Sequence, residues 1–332
     1  MVREATNRAP EFTVRLASAA DGPTIVAAVR ELLPGVDVAQ RHMWLYRENP
    51  HGEALTWIAT EEATGAVAGV TSFFPRRIVA NGREVLAALG GDGYVRPAFR
   101  RRGLASAMHG MSRRDMQRFG IEVMFGTPMP ANATPLARHG TQNVVEVVRY
   151  SRWLGGWLAP IGAFVRRALR AHVRLDEFSE RDWRVDELWE RTRPELGIAT
   201  IRDAQFYDWR FRRSPSQRQQ PFVVLDRGRP IAACALERVG RRLRVIDLLA
   251  PRDAWPRALS AIVASARDCD VVDIKLARTD ANTRRLWQAG FLARDAPKPL
   301  NIMIPEGSRS ADLYFDGAKW FFTLAESDQD TA

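Results

Sequence analysis

Runs rich in β-branched and apolar residues cover Phe12 to Ala17, Leu55 to Thr60, Ala66 to Ile78 and Glu84 to Val95, and each predicts a strand. Thr-Gly and Asn-Gly dipeptides separate the last three, which is the signature of hairpin turns. Helical spacing fills the intervals: Asp21 to Leu33, with Asp21 as N-cap, and Val38 to Glu48, ending before Asn49-Pro50. Past Val95, Pro97 breaks the strand and a basic turn with Gly103 opens an amphipathic helix to about Phe119. A short strand over Glu122 to Phe125, a helix from Asn132 to His139 and a strand from Val144 to Trp153 complete the half. The order is β-α-α-β-β-β-α-β-α-β.

The second half repeats landmarks of the first. Trp44-Leu-Tyr46-Arg-Glu-Asn-Pro50 aligns with Trp209-Arg-Phe211-Arg-Arg-Ser-Pro215. Strands follow at Phe222 to Asp226, Pro230 to Glu237 and Leu243 to Ala250; then Pro251 answers Pro97 at an offset of 154 and Asn282…Gly290 answers Asn132…Gly140 at 150, against 165 for the tryptophan segments. The second copy is therefore shorter. Its turn after Pro251 reads Arg-Asp-Ala-Trp-Pro, without a glycine to let a ligand's phosphate approach the backbone.

A strand, a glycine-containing basic turn and a helix N-terminus together suit a pyrophosphate, because the first-turn N–H groups lack helical partners and the dipole favours anions. Here the spacing is Arg100-x-x-Gly103-x-Ala105. It resembles motif A of the GNAT acyltransferase superfamily, and Asn282-x-x-x-Leu-Trp-x-Ala-Gly290-Phe291 resembles the end of that family's motif B. The resemblance spans nearly the whole chain and implies an α/β (α+β) protein of tandem GNAT folds. Each would have a mixed central sheet, mostly antiparallel, flanked by helices. The expected division is an acyl-CoA-binding domain at 1–153, a linker helix within 154–180 and a degenerate GNAT-like domain at 181–332.

The resemblance places Val95 beside the pantetheine arm and gives the backbone of Gly103, Leu104 and Ala105 to the pyrophosphate, flanked by Arg100, Arg101 and Arg102. For each arginine, phosphate contact and a solvated surface role both stay open. Asn132 matches the motif B asparagine that contacts CoA in relatives; a plain N-cap is the alternative. A base is needed to free the acceptor's lone pair, and Asp92, within Gly90-Gly91-Asp92-Gly93, is the candidate, against a turn aspartate in a β-bulge. His109 reads as a packing or solvent-facing residue and His139 as a partner of a helix dipole. Where relatives use a tyrosine as general acid this chain has Leu136, and Gly140 is followed by Thr141, so the acid is unassigned between Tyr94, Tyr150 and none. Of Trp44 and Tyr46, two apart on a helix, one packs inward and the other borders the cleft, or both pack.

Composition narrows the partners. The 332-residue chain carries a formal charge of +10 supplied almost wholly by arginine, with Lys275, Lys298 and Lys319 its only lysines. The arginines are scattered rather than clustered with aromatics, so no nucleic-acid partner is expected. Cys234 and Cys269 have no metal-ligand or CxxC neighbours, which predicts reduced thiols, no metal and a cytoplasmic setting. The Trp153 to Ala168 stretch is too short and too basic to span a bilayer. The expected activity is acetyl transfer from acetyl-CoA, as co-substrate, to an amine of a small molecule or amino sugar in a ternary complex. A non-catalytic CoA-binding scaffold and an aminoacyl-tRNA-dependent transferase are the alternatives, and homodimerisation stays open.

Overall fold

The computed structural model describes residues 11–129, 136–155, 172–294 and 297–327. β1 (Phe12–Leu16), β2 (Leu55–Glu61), β3 (Val67–Ala80) and β4 (Arg83–Val95) form an antiparallel meander. Its β3–β4 hairpin turns at Asn81-Gly82, both with positive φ (49° and 76°), as the dipeptide predicts. Helix α1 (Gly22–Leu32) packs Ile25, Ala28 and Val29 inward. Helix α2 (Val38–His42) runs into a π-turn, Met43–Arg47, which buries Trp44, Leu45 and Tyr46 together. The widened turn explains how two residues that a regular helix would separate both reach the core: Trp44 and Tyr46 are 4% and 3% exposed.

Helix α3 (Leu104–Asp115) crosses to β5 (Val123–Gly126), which runs parallel to β4. The strand β6 (Gln142–Trp153) does not return to β5. Its Val147–Trp153 portion pairs with β12 (Val271–Ala277) of the second half. The place beside β5 is taken by β14 (Lys298–Met303), the last strand of the chain. β14 also pairs with β6, so the two halves exchange their final strands and merge into one sheet, β1-β2-β3-β4-β5-β14-β6-β12-β11-β10-β9-β7.

In the second half, β7 (Val173–Glu177), α4 (Trp183–Thr192), α5 (Ala204–Tyr207) with the π-turn Asp208–Arg212, and β9 (Gln219–Asp226), β10 (Arg229–Val239) and β11 (Arg242–Leu249) follow in the order of the first. Next come α6 (Trp255–Ser265), β12 and α7 (Thr283–Gln288), and β12 is parallel to β11 as β5 is to β4. The short β8 (Ile198–Thr200) and β13 (Leu292–Ala293) attach to β3 and β6. Within the span expected as a linker helix, Val173–Glu177 is a strand on the sheet edge, paired with β9; Asp176 and Glu177 alternate badly for a buried helix face but sit well on an edge. Residues 156–171 of that span lie outside the described residues. Among the described residues no helix is long and apolar enough to cross a membrane.

Candidate acyl-CoA site and acceptor cavity

β4 and β5 are hydrogen-bonded only over Ala87–Leu89 and Val123–Phe125. Beyond Leu89 they part, and the wedge between them is the floor of a cleft. A bulge follows on β4: the register with β3 slips between Val70 and Ser72, which gives β4 one extra residue there. Asp92 sits in this bulge with φ of 47°, an unusual conformation for a non-glycine residue. The glycines beside it do not all clear space. A Cβ on Gly90 would lie 2.9 Å from the Met124 sulfur, so that side chain already fills the gap.

Two cavities meet in this cleft. The outer one, about 680 Å³, is walled by Tyr94 and Val95, by Arg100, Arg101 and Gly103 of the turn, and by the start of α3, with Arg138 opposite. Gly103 is the N-cap of α3 with φ of 80°, and open space lies where its Cβ would stand. Both properties suit a turn that must present bare N–H groups to an anion. Leu104, Ala105 and Ser106 also line this cavity, as the motif requires. Arg100 donates to the Val95 carbonyl at 3.0 Å and lies over the Tyr94 ring. Arg102 turns away, its guanidinium over Phe12 and Phe99, so it does not line the cavity. Asn132 lies outside the described residues.

The inner cavity, about 490 Å³, is lined by Phe73, Gly90 to Gly93, Met124 and Gly126 to Met129. Lys298 and Asn301 of the exchanged strand β14 complete its wall, and the Asn301 Oδ1 is buried with no hydrogen-bond partner. Nothing local in the sequence marks these two residues, because only the strand exchange brings them here. Leu32, Thr71, Gly93, His109 and Met129 line both cavities and mark their junction.

Asp92 is buried on the inner wall, where its carboxylate accepts from both Arg41 terminal nitrogens (2.5 and 3.0 Å) and from the Tyr46 hydroxyl (2.7 Å). Tyr46 also meets Ser72 at 3.2 Å, and Ser72 meets Thr56 at 2.9 Å. Burial, then the Asp92 charge, holds the Tyr46 phenol well above its ordinary value, so it stays a proton donor to the carboxylate. His109 points inward from α3 and is 7% exposed, with Nδ1 buried and unpartnered. Burial, with His139 nearby, pushes its imidazole down to about 4. The ring is therefore neutral at pH 7. His139, whose value is lowered by burial and by Arg113, Arg114 and Arg138, pairs with the Ser106 hydroxyl at 2.6 Å rather than capping a dipole. Tyr94 borders the outer cavity with its hydroxyl on Glu31 (3.2 Å), and Tyr150 is buried outside both cavities.

Residues 13–138 match the family model of the acetyltransferase (GNAT) domain. The first half of the chain is a GNAT acetyltransferase domain. Its splayed strands, bulge and glycine turn all fall inside that match. Comparison with curated proteins gives no significant match. Solved GNAT-type structures share the fold over most of the chain. A conserved Enterococcus faecalis V583 protein described as a probable N-acyltransferase is 13% identical with a TM-score of 0.68, over 89% of this chain and 73% of that one. A GCN5-related N-acetyltransferase from Anabaena variabilis is 15% identical with a TM-score of 0.67, over 88% and 72%. Eis1 from Mycobacterium abscessus is 16% identical with a TM-score of 0.60, over 88% and 73%.

The corresponding turn of the second half lines a smaller cavity, about 180 Å³, with Ala250, Arg252 and Trp255 on its wall. Its helix α6 starts at Ala254 with φ of −84°, and the buried Trp255 indole, bonded to the Ala250 carbonyl at 3.1 Å, packs at that turn. On β11, next to a register shift like that of β4, the buried Asp247 accepts from Arg202 and from Tyr207 (2.8 Å). The Arg-x-x-x-x-Tyr spacing is that of Arg41 and Tyr46. Here the Thr323 hydroxyl caps Asp247 at 2.7 Å, and Glu326 pairs with Arg202, so the C-terminal segment closes the arrangement that the first half leaves open.

Proposed function

We propose that the chain is an N-acyltransferase that moves an acetyl group from acetyl-CoA to the amine of a small molecule or amino sugar, by direct transfer with both substrates bound. The observation that carries this reading is the meeting of the two cavities at Gly93, Thr71 and His109: one is shaped for a pyrophosphate and its arm, the other for an acceptor. Backbone N–H groups of Gly103, Leu104 and Ala105, with Arg100, Arg101 and Arg138, suit the phosphates. The thioester carbonyl then lies by the β4 bulge. The amine lone pair attacks that carbonyl carbon, the C–S bond breaks, and the amine nitrogen loses a proton as the amide forms.

His109 is the group we assign to that proton. It is unprotonated at neutral pH, lines both cavities, and can pass the proton to water or to the leaving thiolate. Asp92 was the sequence-based candidate for this step. Its carboxylate already accepts three hydrogen bonds, so we assign it to holding Arg41, Tyr46 and the bulge in place. Tyr94 spends its hydroxyl on Glu31 and Tyr150 lies off both cavities, so we leave the thiolate to depart unprotonated or with the amine's proton. The second half is a GNAT-like partner that supplies β14 to the acceptor wall and binds no CoA of its own.

Thiol release from acetyl-CoA over a panel of amines tests the activity. Amine-dependent release that His109→Ala depresses is the expected result. Saturable CoA binding with no release on any amine would instead support a binding protein.

A further inference from the structure

The inner cavity is walled largely by apolar side chains. Phe73, Met124 and Leu136 on its wall belong to the buried cluster that also holds Trp57, against which Phe73 packs edge-on with ring centres 4.9 Å apart. Leu32 and Leu33, at the C-terminal end of α1, line the cavity from partly buried positions. Met129 borders both cavities and is 61% exposed, so a large apolar side chain stands open where the two meet. A flexible thioether in that place can adapt its shape to an apolar ligand.

The same wall offers no partner for a cation. Among the described residues that line the cavity Asp92 is the one carboxylate, and Arg41 and the Tyr46 hydroxyl take up its oxygens. Arg41 and Lys298 are cations, each with a partner of its own. His109 is uncharged at pH 7. Thr71 and Asn301 can offer hydrogen bonds but no charge. The reacting nitrogen of an acceptor sheds its charge as the amide forms. A second ammonium would stay charged, and a charge taken out of water without a partner costs far more than an apolar group in the same place.

We propose that the acceptor is a monoamine whose remaining body is uncharged and apolar, an alkylamine or an arylalkylamine, seated against Leu33, Met124 and Met129 with its nitrogen beside His109. This rests on the acyl-transfer reading above, and within it selects an apolar small molecule over an amino sugar. The bond changes are those of the transfer already described. Leu33 and Met129, which no motif marks, become specificity-determining residues.

The test measures kcat/KM for the straight-chain amines from propylamine to hexylamine, for hexylamine against the terminal diamine of the same length, and for glucosamine. The expected result is a rise of up to about fourfold for each added methylene, the worth of burying that group. The diamine, whose nitrogens are about as basic as that of hexylamine, should be poorer by about tenfold or more, and glucosamine poorer than hexylamine. Leu33→Asp supplies the missing carboxylate and should shrink the ratio of hexylamine to diamine about threefold or more, through KM. Met129→Asp, at an exposed position, reads the same change should Leu33→Asp fail to fold. An unchanged CoA affinity shows that a variant remains folded. Use of the diamine or glucosamine equal to that of hexylamine, or an unaltered ratio in the folded variants, overturns the proposal while leaving acyl transfer intact. CoA binding without turnover of any amine removes the acyl-transfer reading and the proposal with it.

Discussion

Trp44 and Trp209 donate their indole N–H groups to each other's main-chain carbonyls, at 2.8 and 2.9 Å, with the rings stacked 5.0 Å apart at 21°. They are 165 residues apart in sequence, the spacing that also separates Glu48 from Arg213, whose side chains pair at 2.6 Å. Reciprocal bonds between aligned residues place a local two-fold axis between the two π-turns. Equivalent surfaces of the halves meet there, as in an isologous dimer fused into one chain.

This contact should be among the costliest to break. Trp44→Ala is expected to lower unfolding free energy by about 3–5 kcal/mol, because it leaves a cavity and the Trp209 N–H facing an altered turn. In a cycle with Trp209→Phe and Trp44→Phe, the stacked pair should show coupling of roughly 0.5–1.5 kcal/mol. Denaturant titration measures both, and strict additivity in the cycle would show that the rings act separately.

The exchange of β6 and β14 predicts that neither half folds alone. Residues 1–153 end on a strand whose main pairing is with β12, and they lack the strand that covers β5. Expressed alone, this fragment should aggregate through its exposed edges, and co-expression with residues 172–332 should restore a soluble complex. A monomeric, cooperatively unfolding 1–153 fragment would argue that the exchange is dispensable.

Much of this architecture is legible from local patterns. The Asn81-Gly82 hairpin, α1, and the proline-plus-glycine entry into α3 follow from turn chemistry and apolar spacing, which depend on neighbours in sequence. So does the turn at Gly103, where the chain adopts a positive φ as a helix begins. What escaped depends on distant pairing. Nothing near Gln142–Trp153 says that it pairs with β12 instead of β5, and so the place of Lys298 and Asn301 in the wall of the inner cavity is invisible until the sheet is assembled. The π-turn at Met43–Arg47 also escaped, and with it the burial of both aromatic residues. Asp92 reads from the sequence as a base, with a turn aspartate in a bulge as the alternative, and the three donors that hold it come from a helix and a π-turn some fifty positions away.

The Arg41–Asp92 pair is buried on both sides, at 5% and 3% side-chain exposure. Removing one partner strands the other. Asp92→Asn is expected to cost about 3 kcal/mol or more, and Arg41→Met in the same protein should recover part of it, because two neutral groups are tolerated better than one lone charge. Urea midpoints of the two single variants and the double variant provide the check. A double variant less stable than both singles would contradict the pairing.

The buried His109 makes a pH prediction. Its folded value of about 4 lies below the ordinary 6.5, so the unfolded chain binds more protons between those two pH values. Its contribution is fully present above pH 6.5 and is lost as pH falls toward 4, by up to about 3 kcal/mol. His109→Gln should lose less stability than the parent between pH 7 and 4.5 by thermal unfolding. Parallel acid profiles for the two proteins would place the acid sensitivity elsewhere.

The central claim is that one acyl-CoA site exists per chain and that the turn at Gly103 builds it. Calorimetric titration with CoA measures this most directly. The expected result is one site per chain, with binding abolished in a folded Gly103→Glu variant, where a carboxylate enters the phosphate turn and a side chain is forced to positive φ. Two sites per chain, or unchanged affinity in Gly103→Glu, would contradict it.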